Sequence, residues 1–542
     1  MEHHQTEVLI VGAGPCGLAL ATELTMRGRR VHIVEKNDRT GVQPRAKTTN
    51  VRTMSHMRRW GLAREVRKRS PLSADFPRRT LFQTSLFAKP IFSFEDSFCA
   101  SPTRRNEFPE HAEFIPQYVI EGILAEHVAA HPFATLKFGN ELMEFAQDDN
   151  GVTATVRDAS GVSRQIESRY IVGADGGRSS VRRQLGIRMQ GRSDLVTFST
   201  LILRLPGLKN DPALPRALFH WIVDPEATCI IGPMDHGDLW YYARVADRET
   251  PTAELVATVE RAIGRAIPLE VAMRDDWVVH SLIAERYRER HAFLAGDACH
   301  LHSPFGGHGM NLGIGDAVDL GWKLAAALEG WGGEGLLESY EVERRQMHMQ
   351  VIESATKNVS HLSDRFADTL LRQTGPEADA ARARAAEEIE RLKAPEFRSL
   401  GLVLGNRYEN SPALAQREAA SKPLDVTVYT PTAAPGHLAP HGWLDDETSL
   451  YDLFGSGFTL LVLSGHSSGI EEFLTEAKAV ALPLDHVKLD RPELRNLYGA
   501  DLVLVRPDQH VAWRGNSIPP SGLLISIMRG DAVNQKPLHH SA

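Results

Sequence analysis

The sequence predicts an α/β fold built around a dinucleotide-binding sheet. Two observations carry this. The first is a strand–loop–helix–strand unit near residue 7, with Gly12, Gly14 and Gly17 in its loop and Glu35 closing its second strand. The second is the return of Gly/Asp-rich loops behind short apolar runs much later in the chain. These are Val172-Gly173-Ala174-Asp175-Gly176-Gly177-Arg178-Ser179, and Gly296-Asp297-Ala298-Cys299-His300 with Pro304, Phe305, Gly306, Gly307, Gly309, Met310 and Asn311 after it.

Each part has a physical reason. Glu7 to Val11 is a short apolar run suited to a buried parallel strand. In Gly12-Ala13-Gly14-Pro15-Cys16-Gly17, Gly12 permits the tight turn and Gly14 lets a pyrophosphate approach the backbone. Gly17 lets the next helix, Leu18 to Arg27, pack on the strand with its first amides aimed at the phosphates. Val31 to Val34 reads as the second strand. Glu35 follows, about 20 residues beyond the glycines, where an acid accepts a ribose hydroxyl. Such an acid fits FAD or NAD and disfavours a 2′-phosphate. Lys36 follows it directly. Tyr170 to Val172 and Ala292 to Ala295 read as further strands. Between them, Thr197 to Leu203, Thr228 to Ile231 and Leu239 to Val245 are strand-like runs broken by Pro, Gly and Asp turns.

At 542 residues the chain has length for two to four domains, and 42% hydrophobic with 24% charged residues is ordinary for a soluble globular protein. A net charge of −8 argues against a nucleic-acid surface. No apolar run reaches the roughly 20 residues of a membrane helix, and no signal-peptide pattern precedes the first strand. Cys16, Cys99, Cys229 and Cys299 show neither metal spacing nor a disulfide framework. A reduced, cytoplasmic enzyme is the expectation.

The three Gly/Asp segments, in this order and at these distances, resemble the group A flavoprotein monooxygenases, the single-component FAD and NAD(P)H aromatic hydroxylases. The segment Pro44-Arg45-Ala46-Lys47-Thr48-Thr49-Asn50-Val51-Arg52 resembles the phenol and chlorophenol hydroxylase branch. The resemblance implies a Rossmann-like FAD-binding domain of the p-hydroxybenzoate hydroxylase type, interrupted by an antiparallel substrate sheet. It also implies a thioredoxin-like C-terminal α/β domain. The expected division is 1–75, 112–190 and 286–400 for the FAD-binding parts, 76–111 and 191–285 for the substrate domain, 401–428 for a linker and 429–542 for the C-terminal domain. That last region contains no cysteine, so it cannot exchange disulfides; packing or subunit contact is its expected role.

By resemblance, Asp175 serves FAD and the incoming nicotinamide cofactor, with Arg182 completing its pattern. Asp297 binds the ribitol or ribose region, Gln117 lies near FAD, and Gly306 to Asn311 wrap the flavin ring. The family usually has Gln where this chain has His308, which either tunes the flavin or fills space. Arg45 lies by FAD and couples flavin movement to reduction. Lys47 and Thr48 are candidates to face the ring pocket, and Arg52 is read as structural. In the substrate sheet, His220, Trp221, His236, Trp240, Tyr241 and Tyr242 are candidates to line the pocket or relay a proton, as are Pro304 and Phe305 in the flavin loop. His220 and Tyr241 are put forward as catalytic with Arg45. Strand alternation places Tyr241 and Tyr242 on opposite faces, one toward the pocket and one outside. The charged face of the helix expected over Glu377 to Leu392 is read as solvated.

The resemblance implies NAD(P)H reduction of FAD, reaction with O2 to a flavin hydroperoxide, and hydroxylation of a phenolic or polycyclic aromatic ring. Baeyer–Villiger or other oxygenative tailoring stands as an alternative, and a flavin-binding redox sensor is a non-enzyme alternative. A halogenase is set aside, because His220-Trp221-Ile222-Val223-Asp224-Pro225 does not match the Trp-x-Trp-x-Ile-Pro signature. No membrane or metal is expected. The sequence fixes no oligomeric state, although homodimers are common in the family.

Overall fold

The computed structural model describes residues 3–38, 46–234, 237–415, 423–464 and 469–531. Arg45 and His236 lie outside these described residues.

The first sheet gathers strands from distant parts of the chain. Five run parallel, in the spatial order Ala292–Leu294, Ser163–Gly173, His3–Val11, Val31–Glu35, Ala134–Phe138. The antiparallel pair Asn140–Gln147 and Val152–Asp158 extends from the first half of Ser163–Gly173. Parallel strands buried on both faces read as continuous apolar runs, and Val8, Leu9, Ile10, Ile171 and Val172 are fully buried. The helix Pro15–Thr25 lies between this sheet and the long helix Gly309–Glu329. Close packing there needs small residues. A Cβ on Gly313 would come within 3.3 Å of the Gly296 Cα and 3.4 Å of the Cys16 Cβ.

The second sheet has eight strands in the order His300–Leu301, Glu270–Ala284, Met189–Arg204, Leu239–Val245, Cys229–Pro233, Phe219–Ile222, Thr80–Gln83, Phe92–Phe94. All its neighbours run antiparallel except Phe219–Ile222 with Thr80–Gln83. The helix Thr252–Ile263 covers one face through Leu255, Val259, Ala262 and Ile263. This helix lies in a region the sequence presents as strands. Its apolar positions do recur at helical spacing. The helix Pro376–Phe397 covers the other face. It runs past Leu392 and buries Lys393, Glu396 and Phe397, so its charge is not confined to a solvated face.

The C-terminal sheet has the order Leu484–Lys488, Phe458–Val462, Leu502–Val505, Val511–Gly515, its first pair parallel and the rest antiparallel. This is the mixed pattern expected of a thioredoxin-like unit. Its anchor is ionic. The fully buried Arg506 donates to Glu343 at 2.6 and 2.8 Å, to Asp319 at 3.1 Å and to Asp508 at 2.7 Å. Lys323 adds bonds to Asp319 at 2.8 Å and Glu343 at 2.6 Å. Arg52 donates to the Asp508 carbonyl at 2.6 Å and to the Gln509 side chain, which gives its structural reading a partner.

Candidate active site

The cofactor cradle is built where strand ends meet helix starts. Gly12 has φ +107°, and a Cβ there would lie 2.7 Å from the Ala174 carbonyl carbon. No L side chain fits both constraints. A Cβ on Gly17 would collide with the Gly12 carbonyl oxygen. The helix Pro15–Thr25 has no side-chain cap, leaving its first amides for an anion. Glu35 accepts from the Ala13 amide at 2.9 Å and from the Asn37 amide at 3.0 Å, which fixes its carboxylate beside the glycine loop. Lys36, next to it, is exposed.

Asp175 divides its carboxylate. Oδ2 accepts from Ser180 N at 2.5 Å and Ser180 Oγ at 2.8 Å, whereas Oδ1 is buried with no hydrogen-bond partner. An orphaned buried acceptor at the end of a central strand is what an incoming hydroxyl or amide would satisfy. Arg182 staples this segment to the third, donating to the Gly177 carbonyl and the Ala298 carbonyl at 2.9 Å each.

The third segment is held from below. Asp316 is fully buried and accepts from Gly296 N at 2.9 Å, His300 Nε2 at 3.1 Å, Arg344 Nε at 2.7 Å and His348 Nε2 at 2.8 Å. Burial alone would raise its carboxyl, but His348 and Arg344 hold it well below the usual range. Asp297 remains exposed while Gly296 and Ala298 on either side are buried. Cys299 is buried and its thiol is pushed up by burial, so it is inert. Gly306 and Gly307 both have positive φ, and a Cβ on Gly307 would lie 2.9 Å from the Thr48 Cβ. Pro304 is exposed, and its carbonyl accepts from Gly307 N at 2.9 Å.

Asn311 has partners within the protein. Its Oδ1 accepts from Asn50 N, and its Nδ2 donates to the Thr48 carbonyl, both at 2.9 Å; Nδ2 also donates to the Gly307 carbonyl at 2.6 Å. The side chain is spent as a clamp between two loops. The Asn311 backbone amide, with those of Gly309 and Met310, lies in the uncapped first turn of the helix. His308 precedes them. Its ring folds under Gly306 and is buried, and burial lowers its pKa to about 4. Gln117 opens the helix Gln117–Ala129 and donates to Glu121 at 2.9 Å.

Strand alternation then sorts the substrate-sheet candidates. Phe219, Trp221 and Tyr241 share one face with Phe82, Phe198, Phe305 and Phe397. His220 and Trp240 lie on the other face, their rings 6.3 Å apart beneath the helix Thr252–Ile263. The structure therefore does not bring His220 or Trp240 to the aromatic face. His220 touches Gln83 at 3.3 Å, and burial lowers its pKa to about 3. Tyr242 points to this second face as well. It is fully buried rather than outside, because the helix covers it.

Two lysines touch the aromatic face. Lys393 Nζ lies 3.9 Å from the Trp221 ring centre, donates to the His361 carbonyl at 3.1 Å and is paired with Glu396. Lys47 Nζ lies 2.8 Å from the Tyr241 ring centre and 5.6 Å from that of Phe219. No carboxylate among the described residues pairs with it, and burial holds its ammonium well below the usual range. Lys393 and Glu396 escaped the sequence reading, since nothing in a helix rich in Ala, Arg and Glu marks which turn faces inward.

Residues 5–355 match a family described as FAD binding domain, and residues 432–529 match one described as aromatic-ring hydroxylase, C-terminal. A putative polyketide hydroxylase of Streptomyces halstedii is 30% identical over 96% of this chain and 95% of its own. The structure of RebC soaked with chromopyrrolic acid, with bound 7-carboxy-K252c, superposes with a TM-score of 0.90 at 34% identity, covering 98% of this chain and 100% of that one. Aklavinone-11 hydroxylase in complex with FAD and aklavinone superposes with a TM-score of 0.84 at 27% identity, again covering 98% and 100%. With more than half of its length in the first family and its C-terminal unit in the second, the chain belongs to the FAD-dependent monooxygenases of the aromatic-ring hydroxylase type.

Proposed function

We propose that this enzyme uses NAD(P)H and O2 to hydroxylate a phenolic ring of a flat, polycyclic aromatic substrate. The observation that carries this is the aromatic face of the substrate sheet, where Phe219, Trp221, Tyr241 and Phe305 gather beside the Gly306–Asn311 loop. Bound FAD would supply reduction and oxygen activation. The chain's own residues do the rest. Gly12, Gly14, Pro15, Cys16 and Gly17 give the diphosphate a backbone surface, and Glu35 takes the ribose. Asp175 Oδ1 and Asp297 offer acceptors along the cofactor. The uncapped turn at Gly309 to Asn311 offers amides and a positive helix end to the flavin ring. Large aromatic side chains exclude water from the reacting ring. The sequence segments 1–75, 112–190 and 286–400 each contribute strands to the first sheet, which supports the proposed interrupted FAD domain.

The test is NAD(P)H oxidation by FAD-loaded protein against a panel of hydroxylated polycyclic arenes, with product and peroxide measured together. Stimulated oxidation matched by hydroxylated product is the expected result. Stimulation by aromatic ketones alone, with ring-inserted products, would replace this reading by Baeyer–Villiger oxygenation.

A further inference from the structure

We propose that Lys47 is the residue that takes the proton from the substrate's aromatic hydroxyl and then holds the resulting phenolate. This rests on the function proposed above. The geometry separates the two lysines of the aromatic face. Lys393 carries its own counter-ion, Glu396, and needs nothing from a ligand. Lys47 has none. Strand Phe219–Ile222 presents the Phe219 ring to it, and strand Leu239–Val245 presents the Tyr241 ring. Its own backbone is pinned, because its carbonyl accepts from Ile115 N at 2.7 Å and Thr48 beside it is clamped by Asn311. The backbone that carries the amine is therefore fixed beside the flavin loop, and the amine reaches from it to the aromatic sheet.

Burial of an amine with no carboxylate partner among the described residues lowers its hold on the proton of the charged form, which suits it to act as a base. The step is balanced within the complex: the phenol O–H bond breaks, an Nζ–H bond forms, and neutral amine plus phenol becomes an ammonium–phenolate pair. The new ammonium rests on the Tyr241 π face, which favours the cation. Other groups are poorly placed to do this. Burial pushes the Tyr241 hydroxyl well up, so it remains protonated. His220 lies on the opposite face of the sheet. An electron-rich phenolate is the form of the ring that an electrophilic oxygen donor attacks best.

The experiment uses FAD-loaded protein and 2-hydroxyanthraquinone, a flat phenol whose visible band shifts on ionisation. Spectra and proton release to a weakly buffered indicator are recorded at pH 6, with anthraquinone-2-carboxylate as a second ligand. The wild type should show the phenolate band with no proton released, because the proton moves to Lys47. Lys47→Met should bind the neutral phenol and lose the band. Lys47→Arg, already charged and unable to accept a proton, should show the band only with one proton released per ligand.

Three outcomes would overturn the proposal: a phenolate band kept in Lys47→Met, one proton released by the wild type, or no ionisation by the wild type. A loss of carboxylate affinity in Lys47→Met with phenol ionisation intact would also overturn it, and would make Lys47 a carboxylate anchor. Failure of the underlying function is a different result, namely no hydroxyarene-stimulated NAD(P)H oxidation by the wild type. Stimulated hydroxylation that survives in Lys47→Met with an unchanged pH profile defeats the Lys47 role alone.

Discussion

At the scale of single residues, the site divides into groups proposed to face the cofactor and groups that aim them. Asp297 is exposed between two buried neighbours, so its loss leaves the fold intact. Asp297→Ala should change stability by less than about 0.5 kcal/mol, as exposed substitutions do, and yield protein that purifies largely without FAD. The flavin absorbance per protein after gel filtration checks this; a fully yellow variant would remove Asp297 from the cofactor. Asp316 is the opposite case. Its four donors would be left around a hole in Asp316→Ala, among them a buried Arg344. Breaking such a buried network costs about 3–5 kcal/mol, which a urea titration would read, with FAD content falling as the Gly296 loop loosens. A loss below about 1 kcal/mol would show that the network relaxes. The turn that carries Asp297 was legible, because a Gly-Asp pair after an apolar run marks the end of a strand. Asp316 was not, since an Asp within a helix says nothing about donors 16 to 32 residues away.

At the scale of elements, strands and their loops were the readable part. Val31 to Glu35 and Leu239 to Val245 form strands as their apolar patterns predict. Alternation also put Tyr241 and Tyr242 on opposite faces. It could not say that each face is covered by a helix, because coverage is decided by elements outside the strand. The helix Pro376–Phe397 shows the consequence. Its Lys393–Glu396 pair is buried against Trp221 and Phe397. Burial lowers the lysine and raises the glutamate, each opposed by its partner. Lys393→Met alone strands Glu396 and should cost about 3–5 kcal/mol, whereas Lys393→Met with Glu396→Leu should be near neutral. Comparing denaturant midpoints of the two variants decides the matter. Equal losses would mean that the ion pair itself stabilises the helix against the sheet.

At the scale of the whole molecule, buried neutral histidines give a pH dependence whose sign can be worked out. His220, His308, His348 and His441 are buried, and burial lowers them to about 3, 4, 3 and 4 respectively. The contacts of His348, Nε2 to Asp316 and Nδ1 to the Tyr287 hydroxyl at 2.8 Å each, are ones a neutral ring can satisfy. In the unfolded chain these groups protonate near pH 6.5. Their folded values are depressed, so between pH 6.5 and 4 the unfolded state binds more protons and stability falls as pH falls. Each contributes a slope of up to about 1.4 kcal/mol per pH unit. Glu396 and Asp319, pushed up by burial, act in the opposite sense, but four groups against two leave a net loss. The depressed carboxylates of Asp316 and Asp508 add their loss only below about pH 4. The urea midpoint should therefore decline from pH 7.5 to pH 5 at constant m-value. His308→Gln should decline less steeply, because one of the titrating rings is gone. A midpoint flat across this range, or an unchanged slope in His308→Gln, would show that these rings take up protons in the native state through local opening rather than by unfolding.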